Sequence, residues 1–202
     1  MSKFVSELDA SFCLPAELSA AVDALKAGEL AVFPTDTVYG IGVAVRYAGS
    51  PDAIYAAKGR DAGKPIAWLV GGADALIEYG TGVPEVAIDL ARRHWPGALT
   101  VIVKAGDAVP QPFRSKRGTI GLRMPASETA LALVRAVGPL ATSSANMSGV
   151  SDSGSLSQID QGLLESVAAV VEGSERPSGV ASTVVDCSSG DIVVLRQGGV
   201  VL

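Results

Sequence analysis

The chain has 202 residues, 48% of them hydrophobic and 18% charged, with a formal net charge of −5. That size and composition imply a folded domain with its own core and exclude a disordered chain. The acidic balance argues against a broadly basic nucleic-acid binder, because phosphate binding by counterion release needs a positive surface.

The predicted elements alternate between helix and strand. Residues 15–27, PAELSAAVDALKA, carry Pro at the start and Gly28 after the end. Leu18, Val22 and Leu25 share a face, so an amphipathic helix is expected. LAVF (30–33) is a short apolar run halted by Pro34, and 38–45 alternates as a second strand. Ser50 and Pro51 read as N-cap and first helical residue of a helix through Lys58. IAWLV (66–70) is a buried strand, PEVAIDLARRH (84–94) a helix, and LTVIV (99–103) and TIGLRM (119–124) are strands. Ser127 caps the helix ETALALVRAV, closed by Gly138. Strands follow at 139–143, 167–172, 182–186 and 191–196, the last two forming a hairpin. The pattern predicts one α/β (α+β) domain over 1–202, core about 15–200, with a twisted mixed sheet flanked by helices.

Chemistry gathers in three places. Thr35-Asp36-Thr37 and Tyr39 follow a strand end, where open α/β sheets place ligands; a polar turn is the alternative. Lys58, Arg60 and Lys64 follow the end of a helix. They read either as complements of the helix dipole or as an anion clamp, with Gly59 turning the backbone. Thr142 to Gly149 supplies bunched hydroxyls and an amide after an apolar strand. Arg123 sits late in a core strand, which asks for a ligand or a buried partner, and Arg196 repeats the pattern. No P-loop or Rossmann glycine motif is present. His94 is the only histidine, so a Ser-His-Asp triad or a His-based zinc site would have to use it or fail, and Cys13 and Cys187 form no CxxC pair. One disulfide between them stays open. The polar N-terminus has no apolar signal segment, so a cytoplasmic protein without membrane attachment is expected.

PTDTVYGIG, KGR, WPGALT, LRMP, SSANMSG, STVVD and LRQGG, in this order and spacing, resemble the YrdC-like family from about Leu18 to Gly199. The resemblance, to its short bacterial members, implies a nucleotidyltransferase. Such an enzyme joins L-threonine, bicarbonate and ATP, with Mg²⁺, into threonylcarbamoyl-AMP and pyrophosphate. The product serves threonylcarbamoyladenosine formation in tRNA through downstream transferase proteins, and a weak contact with tRNA or double-stranded RNA is implied. By the same resemblance Thr35, Tyr39, Arg123, Ser144 and Ser182 bind threonine. Lys58, Arg60, Lys64, Thr119, Asn146 and Arg196 bind the nucleotide, with Lys58 and Arg60 catalytic. Metal ligands are not named, because no carboxylate cluster presents itself. Four positions depart from the family pattern: Lys64, Leu69, Ser127 and Gly154, with Ser151 or Ser153 as substitutes for the last. A non-catalytic RNA-binding module and a paralogue with another carbamoyl-type or nucleotide substrate are the alternatives.

Overall fold

The computed structural model describes residues 16–147 and 154–202. Along the chain run α1 (Ala16–Lys26), β1 (Ala31–Phe33), β2 (Gly40–Ala44), α2 (Val45–Ala48), α3 (Asp52–Ala57), β3 (Ala67–Leu69), α4 (Ala75–Tyr79), α5 (Glu85–His94), β4 (Leu99–Lys104), β5 (Thr119–Arg123), α6 (Glu128–Val137), β6 (Leu140–Ser144), α7 (Gln161–Glu165), β7 (Ala169–Val170), β8 (Thr183–Asp186) and β9 (Val193–Arg196). The strands join one mixed sheet in the order β7-β1-β2-β6-β3-β5-β4-β8-β9. β1 with β7, β3 with β5 and β4 with β8 pair parallel, and the other neighbours pair antiparallel.

Side chains alternate across a strand, so each strand serves both faces of the sheet. On one face Ile41, Trp68, Leu99, Val101, Val103, Ile120 and Leu122 join the larger core. Ile54 of α3, Leu76 of α4, Leu90 of α5 and Leu163 of α7 cover it. On the other face a smaller core gathers Phe33, Leu69 and Leu140 under α1 and α6. The sheet needs Gly42 because a Cβ there would stand 2.8 Å from the Ala141 carbonyl oxygen.

Most predicted elements are present, with shifted ends. α3 begins at Asp52 with Pro51 as its N-cap, because Ser50 offers only a 3.4 Å contact to the Asp52 amide. The strand predicted from 38 starts at Gly40, since Thr35 organises the preceding residues into a loop. Residues 167–172 yield only β7, a short parallel edge beside β1. The hairpin of β8 and β9 forms with a bulge at Val184/Val185. Ser127 caps α6 by accepting from the Ala130 amide at 3.1 Å. Pro15 and Cys13 lie outside the described residues, and Cys187 is a buried free thiol. Among the described residues no helix is long and apolar enough to cross a membrane.

Candidate active site

The second face of the sheet is only partly covered by α1 and α6. The rest is open and forms a cavity of about 580 Å³, within the range of small-molecule sites. The same alternation that fills the core supplies the lining. In β4, Thr100 and Ile102 face the cavity; in β5, Thr119, Gly121 and Arg123; in β6, Thr142 and Ser144. Small residues and hydroxyls thus make a polar floor directly behind an apolar core.

The loop after β1 holds Arg123 in place. Arg123 is only 6% exposed. Its Nη2 donates to Asp36 Oδ1 at 2.6 Å, its Nη1 to Thr37 Oγ1 at 2.9 Å and its Nε to the Gly97 carbonyl at 2.9 Å. The Trp95-Pro96-Gly97 turn therefore helps to position Arg123 through the Gly97 carbonyl. Thr35 Oγ1 donates to the Val38 carbonyl at 2.7 Å. Its only proton is committed there, so Thr37 is the donor in their 3.0 Å contact. Burial pulls the Arg123 guanidinium below its ordinary value; Asp36 opposes this and Arg196 adds to it.

Arg60 is delivered by the end of α3. Gly59 has φ +55, its amide bonds the Ala56 carbonyl, and the Arg60 amide reaches back to Tyr55 at 3.0 Å. This is the Schellman pattern, in which a left-handed glycine reverses the chain. Arg60 Nη1 donates to Ser143 Oγ at 2.8 Å and Nη2 to the Pro65 carbonyl at 3.2 Å. Its Nε is buried without a hydrogen-bond partner. Burial lowers the Arg60 pKa most, Tyr55 opposes, and Arg196 lowers it further. Lys58 is 3% exposed. Its Nζ donates to the Ser144 carbonyl and to Asn146 Oδ1, which also accepts from Ser144 Oγ. Lys58 and Asn146 thus stand behind the wall and clamp the end of β6.

The hairpin closes the other side. Arg196 Nε and Nη2 donate to the Ser182 carbonyl at 3.1 and 2.9 Å, and Ser182 Oγ meets Thr100 Oγ1 at 2.9 Å. Gly198 is needed here, because a Cβ would fall 2.2 Å from the Ala181 carbonyl oxygen. Thr119 Oγ1 bonds Ser115 Oγ at 2.7 Å.

Thr35, Arg60, Thr119, Arg123, Ser144, Ser182 and Arg196 therefore line one cavity, as does Leu69. Four predicted residues, Tyr39, Lys58, Lys64 and Asn146, are not on the lining. Lys58, expected to be catalytic, is buried with its Nζ on the Ser144 carbonyl and Asn146 Oδ1. Tyr39 faces the core, with its hydroxyl on the Glu172 carbonyl at 2.8 Å. Strand parity explains this, since Val38 and Gly40 face the cavity. Lys64 is exposed on a small neighbouring pocket, and its carbonyl accepts from Tyr55. Asn146 acts through Lys58 and Ser144. Ser127 is a helix cap, Gly154 bonds Gln158 through its amide, and Ser148, Gly149, Ser151 and Ser153 lie outside the described residues. The sequence reading missed Lys116 and Arg117 on the lining; their signal is a basic pair just before β5. It also missed the pairing of Asp36 with Arg123.

Among the described residues the lining carries Arg60, Lys116, Arg117, Arg123 and Arg196 against one carboxylate, Asp186. Of the five cations, only Arg123 has an ion pair there. No group of three His, Cys, Asp or Glu side chains is gathered among the described residues. Guanidinium groups converging against one another in an acidic chain are arranged for an anionic ligand.

The family pattern described as Sua5_yciO_yrdC, telomere recombination, matches residues 23–198. A putative threonylcarbamoyl-AMP synthase of Mycobacterium tuberculosis is 38% identical, over 89% of this chain and 83% of its own length. Threonylcarbamoyl-AMP synthase of Pyrococcus abyssi is 35% identical, over 88% of this chain and 53% of its own. Among solved structures, P. abyssi Sua5 complexed with L-threonine superimposes with a TM-score of 0.84 at 34% identity, covering 90% of this chain and 54% of that one. E. coli YciO gives 0.81 at 27%, covering 90% and 88%. The chain spans about half the length of the Pyrococcus protein and most of the mycobacterial and YciO chains. Family match, sequence identity and fold agree, and the chain belongs to the Sua5/YciO/YrdC family.

Proposed function

We propose that the cavity joins L-threonine, bicarbonate and ATP into threonylcarbamoyl-AMP and pyrophosphate, with residues 1–202 acting as one domain. The observation that carries this reading is the convergence of Arg60, Arg123 and Arg196 on one hydroxyl-lined cavity. The threonine complex of a neighbour and the relatives' name, threonylcarbamoyl-AMP synthase, support threonine and the product, and ATP and bicarbonate are consistent with that product.

In this reading the threonine carboxylate takes the remaining N–H groups of Arg123, and Ser144 and Ser182 meet its polar groups. Thr35 contributes mainly by holding Thr37. The threonine amine and bicarbonate condense to a carbamate with loss of water. A carbamate oxygen then attacks the α-phosphorus, and the bond to the bridging oxygen breaks as pyrophosphate leaves with the electron pair. This chemistry needs alignment and charge neutralisation more than a strong base, which suits a chain with one histidine. Arg60, whose buried Nε is unpartnered, and Arg196 neutralise the phosphates. Thr119 lies beside the nucleotide, while Lys58 and Asn146 fix the wall that carries Ser144. Asp186 on the lining would offer a hard oxygen ligand to a Mg²⁺ bound with ATP, which would supply charge screening of the phosphates. The product passes to transferase proteins acting on tRNA in the cytoplasm.

The test is pyrophosphate release by the pure protein with ATP, Mg²⁺, bicarbonate and an amino acid. Release that requires all components, and falls steeply when 2-aminobutyrate replaces threonine, supports the reading; hydrogen-bonding sites reject analogues lacking a hydroxyl by about 10⁴-fold in favourable cases. Release at equal rate with 2-aminobutyrate contradicts hydroxyl recognition. Salt-sensitive RNA retention with no pyrophosphate release supports the non-catalytic alternative.

A further inference from the structure

The cavity must receive two kinds of anion without confusing them. One is a singly charged carboxylate and the other a polyphosphate, and both are attracted to guanidinium groups. The lining is not electrically uniform. Arg60, Lys116, Arg117 and Arg196 carry no ion pair among the described residues, whereas Arg123 is paired with Asp36 at 2.6 Å. Asp36 is not on the lining. It sits behind the guanidinium, with its side chain 16% exposed.

We propose that Asp36 is a specificity-determining residue, which cancels the charge of Arg123 so that this end of the cavity accepts a carboxylate and refuses a phosphate. This rests on the placement of threonine given above. The donor count supports it. A guanidinium has five N–H groups. Gly97, Thr37 and Asp36 take one each, from Nε, Nη1 and Nη2. One N–H on each terminal nitrogen is left, enough for the two oxygens of one carboxylate. Asp36 holds the guanidinium by Nη2 and leaves the pair formally neutral. A monoanion is held by two directional hydrogen bonds and meets little opposing field. A phosphate dianion meets the same two bonds with the Asp36 charge behind them, while the other end offers unpaired cations. Polyphosphate is thereby driven towards Arg60 and Arg196, and the carboxylate subsite stays open in the presence of ATP. Thr37 performs only the positioning part, since its hydroxyl is neutral.

The discriminating variants are Asp36→Asn, which keeps an acceptor oxygen but removes the charge, and Thr37→Val, which removes a neutral acceptor. Inorganic phosphate is titrated against each protein by calorimetry, with no other substrate. Asp36→Asn gains a phosphate site, or binds phosphate at least about tenfold tighter, because the like charge that repels phosphate is removed; Thr37→Val does not. In competition with threonine, phosphate becomes an inhibitor at least about tenfold more potent for Asp36→Asn than for the wild type. Unchanged phosphate binding in a folded Asp36→Asn protein overturns the proposal. If Asp36→Asn does not fold, the wild type decides: acetate displaces threonine at lower concentration than phosphate does, and equal displacement overturns the proposal. Absence of threonine binding to the wild type defeats the threonine placement, while the phosphate titration still judges Asp36.

Discussion

The two faces of the central sheet are built from the same strands and have opposite jobs. In β5, Ile120 and Leu122 are 2% and 0% exposed in the apolar core, while Thr119, Gly121 and Arg123 look into the cavity. In β4, Leu99, Val101 and Val103 alternate with Thr100 and Ile102 in the same way. One face is filled, so its residues contribute through removal of apolar surface from water. The other is covered only in part by α1 and α6, and where it is open Arg60, Lys116, Arg117 and Arg196 present charge without an ion pair among the described residues. The comparison teaches that stability and chemistry are separated by side-chain parity rather than by distance along the chain.

The largest stability effect should come from the filled face. Trp68 is 1% exposed and meets Tyr79 and Phe113 edge-on at 5.2 and 5.7 Å. Trp68→Ala should cost about 3–5 kcal/mol, read as a fall in melting temperature. Turnover per folded molecule at low temperature should stay within a few-fold, and a direct loss of turnover without unfolding would break the comparison. A smaller effect is expected at Ser127, which caps α6 and contacts the Pro34 carbonyl at 3.3 Å. Ser127→Ala should cost about 0.5–2 kcal/mol, visible in denaturant melts.

The smallest effect concerns Cys187, buried in the larger core with its thiol pushed up to about 11 by burial and by Asp186. Folding favours the neutral thiol, so its contribution is complete below the unfolded pKa of about 8.5. It declines as pH rises from there through the folded value. Between pH 8 and 10 the wild type should lose more stability than Cys187→Ala, and equal loss would place the thiol in a wetter setting.

Much of this division was legible in the sequence. TIGLR and LTVIV show the period of two, and the charge on Arg123 amid apolar neighbours asked for a ligand or a buried partner. The partner itself was not legible, because Asp36 lies 87 residues away and sheet order is set by tertiary packing. Tyr39 was misjudged by its closeness to Thr35 in sequence, although parity sends it to the other face. α2, α4 and α7 are four or five residues long, too short for a 3.6-residue period to show. Lys116 and Arg117 carry no local signal beyond two adjacent cations before β5, and only the fold brings them to the cavity lining.

The central claim is that residues on the open face serve a ligand rather than the fold, and Arg60→Ala tests it most directly with two readouts on one protein. The account predicts a thermal melt close to that of the wild type and pyrophosphate release reduced by about 10²–10³-fold, the scale for loss of one preorganised donor. Arg60→Lys should recover only part of the rate, because an ammonium keeps the charge and loses the planar fork. A destabilised Arg60→Ala protein with full turnover would contradict the claim and return Arg60 to the role of a helix-end cation.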